Sequence, residues 1–276
     1  MAIKLILLDL DGTMLTSGKE ISPRTYTALA QAAAQGVHIV PSTGRFFDGM
    51  PQVVRDLPFV RYAVTINGAQ VYDRAEDRIL RREEIAPPQA EAVYDQLDQL
   101  PVIYDCFLDG WGYMDQRNYD RIDQFIADPR VNNMVKTLRK PVADFRSFMR
   151  EQNRPVQKIQ MFFQDMDLRQ RAWRDLAAKF PDLAVTSSIT NNLEINAGLA
   201  TKGEALRFLC QYLGIDVQGS MAFGDSSNDM SMILAAGTGV AMGNADQDLQ
   251  AAADYVTDTN DSDGVAKAIE KFVLSV

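Results

Sequence analysis

Ile3-Lys4-Leu5-Ile6-Leu7-Leu8-Asp9-Leu10-Asp11-Gly12-Thr13 decides how the rest of the chain is read. An apolar run broken by one lysine stops at two aspartates and a glycine. A strand wetted on one face would alternate; a continuous run predicts one buried on both faces, in a parallel sheet covered by helices. Carboxylates at the end of such a strand stand where open α/β sheets bind their ligands.

Working outward, Gly12 and Gly18 mark a polar turn. Ser22-Pro23 then predicts a helix start, serine capping and proline at the first turn, and Gly36 its end. A second strand is expected over 37–40, running into Ser42-Thr43-Gly44-Arg45, and a third over 62–66, running into Asn67-Gly68. This β-α-β-α-β order implies a parallel sheet. The texture changes near Glu83, and Pro87-Pro88 marks a boundary. Helices are expected over 89–100, 119–127, 143–151 and 168–179, with strands over 102–108, 111–115, 156–163 and 183–189. Neighbouring short strands predict antiparallel pairing. The β/α rhythm returns near Leu193, with a helix over 202–213, a strand over 220–223 ending in Gly224-Asp225, a helix over 229–236, a strand over 238–241 and a helix over 264–274. The expected fold is an α/β, Rossmann-like parallel-sheet core of residues 1–82 and 193–276, interrupted by an inserted α+β domain of residues 83–192.

The 276 residues, 46% hydrophobic and 24% charged, suit two modest soluble domains. The net charge of −9 shows no basic stripe and argues against a nucleic-acid partner. No stretch reaches the roughly 20 apolar residues of a membrane span, and the opening run is too short for a secretory signal. Cys106 and Cys210 lack a CxxC spacing and are expected to pack as small apolar residues. A cytoplasmic protein is the expectation.

Five polar clusters close apolar runs: Asp9/Asp11, Thr43-Gly44-Arg45, Asn67-Gly68, the segment reaching Lys202, and Asp225 to Asp229. Carboxylates are hard ligands suited to Mg²⁺, and gathered together they repel unless a cation neutralises them. Phosphoryl transfer asks for such a set: an in-line nucleophile, a metal clamp and donors for three oxygens. Singly, each cluster has an ordinary alternative, a cap, a turn or an exposed helix start, and Asn-Gly is a favoured hairpin turn. Four in this order, each at an element end, outweigh those alternatives. His38 lies inside an apolar strand and reads as a packing residue, against a histidine-based mechanism.

Asp9-Leu10-Asp11-Gly12-Thr13, Ser42-Thr43-Gly44-Arg45, Lys202-Gly203 and Gly224-Asp225-Ser226-Ser227-Asn228-Asp229 resemble the four motifs of the haloacid dehalogenase superfamily. The place and size of the insertion, and Asp263-Gly264-Val265-Ala266, resemble its Cof-type branch, whose cap is of the C2B kind. The resemblance implies a phosphatase acting on a small phosphorylated metabolite through an aspartyl-phosphate. Asp9 would be the nucleophile, Asp11 the acid and base, and Lys202 the charge stabiliser. Thr43, Gly44, Arg45, Asn67 and Asn228 would serve the phosphate or substrate. Mg²⁺ would be held around Asp9, Asp11 (through its backbone carbonyl), Asp225 and Asp229, with Asp229 and Asn228 orienting from just behind. The cap would close over the core and choose the leaving group. A phosphomutase or phosphotransferase using the same aspartates, or a non-catalytic phosphoacceptor, stays open at this level.

Overall fold

The computed structural model describes residues 2–274. Its strands, in chain order, are β1 (Leu5–Leu8), β2 (His38–Pro41), β3 (Tyr62–Thr65), β4 (Gln70–Asp73), β5 (Arg78–Arg82), β6 (Ile103–Leu108), β7 (Trp111–Asp115), β8 (Arg139–Val142), β9 (Lys158–Phe162), β10 (Leu183–Thr186), β11 (Asn192–Ala197), β12 (Ser220–Gly224), β13 (Thr238–Ala241) and β14 (Tyr255–Val256). The chain divides into two compact units: one runs to Arg82 and resumes at Thr201, the other is Glu83–Ala200.

In the first unit a five-stranded sheet has the order β14-β13-β12-β1-β2, parallel throughout. All four residues of β1 are buried. Ile6 and Leu8 join one apolar cluster while Leu5 and Leu7 join another, so the continuous run serves two faces. The helix Pro23–Ala34 packs on the first of these faces; the Ser22 hydroxyl caps it by accepting from the Thr25 N–H at 3.1 Å. Strand order reverses at β1, which places the ends of β1 and β12 side by side: the Asp9 N–H donates to the Phe223 carbonyl at 3.0 Å.

The third expected strand behaves differently. β3 pairs antiparallel with β4, and β4 with β5, in a small separate sheet; β3 meets the second strand's end only through a parallel bridge between Ser42 and Val64. Asn67-Gly68 is thus a turn between antiparallel strands, as its dipeptide favours, with Ile66 and Asn67 both at positive φ (52° and 58°). A β-branched residue there is strained, and such strain collects at functional sites.

The second unit holds a six-stranded sheet of order β10-β11-β9-β6-β7-β8, antiparallel except where β7 meets β8. One face carries Tyr104, Cys106, Leu108, Ile159, Met161, Leu193 and Ile195 into an apolar core. On the other, Ile103, Met114 and Phe162 pack under Ile122, Phe125, Ile126 and Val135, beside two buried ion pairs, Arg139–Asp105 at 2.8 Å and Lys158–Glu194 at 3.0 Å. The expected return to the first domain at 193 comes late. Asn192–Ala197 is β11, bonded on both sides to β9 and β10, and its apolar alternation fills this unit's core. The short elements β4, β5, β8 and the helix Pro129–Thr137 carried too weak a pattern to be read. Among the described residues no helix is long and apolar enough to cross a membrane. Both cysteines are buried and unpaired with each other.

Candidate active site

Lys202 is the centre of the site. It is the first residue of the helix Lys202–Leu213, its side chain is fully buried, and its ammonium donates at 2.6 Å to Asp9 Oδ1 and at 2.6 Å to Asp229 Oδ1. Burial alone would lower its pKa, but Asp229 and Asp9 outweigh that and hold the ammonium charged. The helix start is fixed by close packing: a Cβ on Gly203 would stand 2.3 Å from the Ser231 carbonyl oxygen, and the Gly203 N–H donates to Ser231 Oγ at 3.1 Å.

Asp229 is fully spoken for. Its second oxygen accepts the backbone N–H groups of Asp225 (2.9 Å) and Ser226 (3.0 Å). It therefore fixes the turn after β12 and aims Asp225. The Asp225 carboxylate accepts from Thr13 Oγ1 at 2.8 Å and Ser226 Oγ at 3.1 Å. Gly12 makes room for it: a Cβ there would lie 2.5 Å from Asp225 Oδ2, and its φ of +86° belongs to glycine.

Asp9, Asp225 and Asp229 each offer one carboxylate oxygen within 4.8 Å of the others, so the three form one cluster. One ammonium balances three carboxylates. Burial, Asp229 and Asp225 push the Asp9 carboxyl well up against the pull of Lys202, and burial with Asp229 pushes Asp225 up to about 7. The donor set is all hard oxygen with surplus negative charge, which fits a small divalent cation. The resemblance gives the Asp11 side chain to the acid–base role and only its backbone carbonyl to the metal. The Asp11 carboxylate lies outside the cluster, bound by Arg45 Nε at 2.9 Å, Arg45 Nη2 at 3.0 Å and Lys19 Nζ at 2.6 Å. Burial would raise its pKa, but Arg45 and Lys19 hold it below the usual carboxylate value.

The remaining expected residues lie in the turns around this centre. Thr43 is buried, and its backbone N–H donates to the Val64 carbonyl at 2.9 Å. Gly44 follows it in the turn, where Thr43 Oγ1 accepts the Arg45 N–H at 3.2 Å. Asn67 joins them through its N–H to the Thr43 carbonyl (3.0 Å), and its side-chain oxygen accepts from Asn228 Nδ2 at 3.2 Å. Thr13 and Ser226 lie inside the motifs, but the motif pattern does not mark them as partners of Asp225; Lys19 sits in a loop whose sequence carries no signal beyond its polarity.

The sequence profile of the haloacid dehalogenase-like hydrolases matches residues 6–269. Among curated proteins, the chain is 33% identical to a phosphatase of Bacillus subtilis strain 168, YwpJ, over 96% of this chain and 98% of that one. It is 31% identical to the 5-amino-6-(5-phospho-D-ribitylamino)uracil phosphatase YcsE of the same organism, over 99% and 96%. Among solved structures it resembles a sugar phosphatase of the same superfamily's subclass IIB, BT4131, with a TM-score of 0.81, 25% identity and 98% of each chain covered. The parallel sheet and the acidic cluster at its carboxyl edge define a hydrolase of the haloacid dehalogenase class, and the chain belongs to that family. Within it, this is a Cof-type phosphatase.

Proposed function

We propose that the protein hydrolyses a small phosphate monoester in two steps, with Mg²⁺ as cofactor. The observation that carries this reading is Lys202, buried between Asp9 and Asp229 and bonded to one oxygen of each. That leaves Asp9 Oδ2 to attack phosphorus in line, with the carboxylate already aligned by the ammonium. As the Asp9–phosphorus bond forms, the ester P–O bond breaks, and Asp11 gives a proton to the departing oxygen. A water then attacks the same phosphorus and passes a proton to Asp11, the Asp9–phosphorus bond breaks, and inorganic phosphate leaves. Thr43, the Gly44 backbone and Lys202 hold the equatorial oxygens; Arg45, Asn67 and Asn228 serve the substrate. Asp9, Asp225 and the Asp11 backbone carbonyl would hold Mg²⁺, which when bound offsets the negative charge of the phosphoryl group and the carboxylates. Asp229 stays an orienting residue because both its oxygens are engaged.

The Glu83–Ala200 unit is proposed to select the leaving group. The named relatives act on a phosphoribityl-aminouracil and on sugar phosphates, which supports the same class of small phosphorylated metabolites here. The test is a metabolite phosphate panel assayed for released phosphate with Mg²⁺ and after EDTA. Metal-dependent release that vanishes in Asp9→Asn supports the reading. Transfer of phosphate to a sugar hydroxyl without release overturns it.

A further inference from the structure

The loop carrying Asp11 is held by side chains from the far end of the chain. Asn244 Nδ2 donates to the Gly12 carbonyl at 2.9 Å, and Asn244 Oδ1 accepts the Asn260 N–H at 3.0 Å. Asn260 Nδ2 donates to the Leu15 carbonyl at 2.9 Å. The Asp261 carboxylate accepts from the Ser17 N–H at 2.8 Å and from its hydroxyl at 2.6 Å. Beyond Ser17 the loop turns sharply: the Lys19 N–H donates to the Thr16 carbonyl at 2.8 Å, and Lys19, at φ +63°, brings its ammonium back to Asp11.

Residues 17–20 are exposed and bring no apolar anchor, so hydrogen bonds fix this stretch. The anchors grip the backbone at Gly12, Leu15 and Ser17, on either side of Met14 and Leu15, whose side chains are buried in the core. An acid–base group has to come within hydrogen-bond reach of the proton it moves, and a misplacement of about 1 Å costs on the order of 10²-fold.

We infer that Asn244, Asn260 and Asp261 are positioning residues for the acid–base step, acting on Asp11 through the backbone of residues 12–17. The inference rests on the role proposed above for Asp11. It predicts a selective defect. p-Nitrophenyl phosphate has a leaving group that departs without a proton; an alkyl phosphate does not.

The experiment compares kcat/KM on p-nitrophenyl phosphate with kcat/KM on whichever alkyl ester of the metabolite panel the wild type turns over fastest. The variants are Asn244→Ala, Asn260→Ala, Asp261→Ala, Asp261→Asn and Asp11→Asn, with thermal midpoints measured alongside. For Asn244→Ala and Asn260→Ala, the alkyl ester is expected to lose about 10- to 100-fold and p-nitrophenyl phosphate less than about 3-fold. Asp261→Asn, which keeps an acceptor for Ser17, should recover most of what Asp261→Ala loses. Equal losses on both esters, or wild-type behaviour on both, overturn the inference. If Asp11→Asn abolishes alkyl-ester turnover while the anchor variants match the wild type, the inference alone falls. If Asp11→Asn turns over the alkyl ester normally, the acid–base reading falls with it.

Discussion

Arg45 grips Asp11 with two nitrogens, Nε at 2.9 Å and Nη2 at 3.0 Å, while its third nitrogen reaches the Gly49 carbonyl at 3.2 Å. A fork fixed at both ends sets where the Asp11 carboxyl points and keeps its pKa low. A general acid has to be protonated, so this grip opposes the acid form. Arg45→Ala should therefore raise the Asp11 pKa. The alkaline limb of kcat/KM for an alkyl ester is expected to move to higher pH. A pH–rate profile in which that limb stays put would assign the limb to another group.

Lys202→Met should abolish activity and weaken the fold. It removes the only cation bonded to Asp9 and Asp229 among the described residues, and both carboxylates are buried. Breaking a buried pair from one side costs about 3–5 kcal/mol. The expected loss in kcat is at least about 10²–10³-fold. Denaturant unfolding and p-nitrophenyl phosphate turnover, measured on the same preparation, check both halves.

Metal removal should give the protein an unusual pH dependence. The Asp225 pKa rises to about 7 in the metal-free fold, against about 4 for an unfolded aspartate. Between those values the folded state holds a proton that the unfolded state has released. Stability contributed by this group is thus present below about 4 and lost as pH rises through about 7. After EDTA treatment the thermal midpoint should carry a falling contribution over that window. Saturating Mg²⁺ should remove the fall and raise the midpoint most at the high-pH end. The comparison is made between wild type and Asp225→Asn, which lacks the titrating group; identical profiles in the two would refute it.

Gly12→Ala tests how closely the first and last motifs fit. The φ of +86° would cost an alanine about 1–2 kcal/mol, and its Cβ would press on Asp225 Oδ2. Activity should fall further than stability, with weaker Mg²⁺ binding. Calorimetric titration with Mg²⁺ separates the two effects.

Cys106 offers a probe of the Glu83–Ala200 unit. It is buried in that unit's core, and burial pushes its thiol up to about 12, so it stays protonated at pH 8. In a Cys210→Ala background, Cys106 should react with Ellman's reagent only after that core opens. Prompt reaction in the native protein would contradict the packing described.

Much of the site was legible in the sequence because its residues stand at the ends of buried parallel strands. Leu5–Leu8 announced its own burial, and Asp9 followed from where that run stopped. The Ser22-Pro23 start and Gly36 stop of the first helix were equally local signals. What stayed hidden was pairing between distant segments. Asn192–Ala197 alternates apolar and polar residues, which fits either unit, and only its bonds to β9 and β10 assign it. Lys19 and Asn244 matter through hydrogen bonds to residues 8 and 232 positions away, and no periodicity encodes such contacts. The engagement of the Asp11 carboxylate by Arg45 depends on the path of a turn that spacing does not fix.

β1 is hydrogen-bonded to β2 on one side and to β12 on the other, and β12 begins only at Ser220. On the ribosome, the sheet of Glu83–Ala200 emerges as one uninterrupted stretch and has all its strands while β1 still lacks its second neighbour. Arrested nascent chains long enough to expose Ala200 but not β12 should show protease protection over 83–200 and cleavage before Arg82. Asp9, the proposed nucleophile, is translated well before Lys202, so a chain terminated between the two carries it without the ammonium that aligns it.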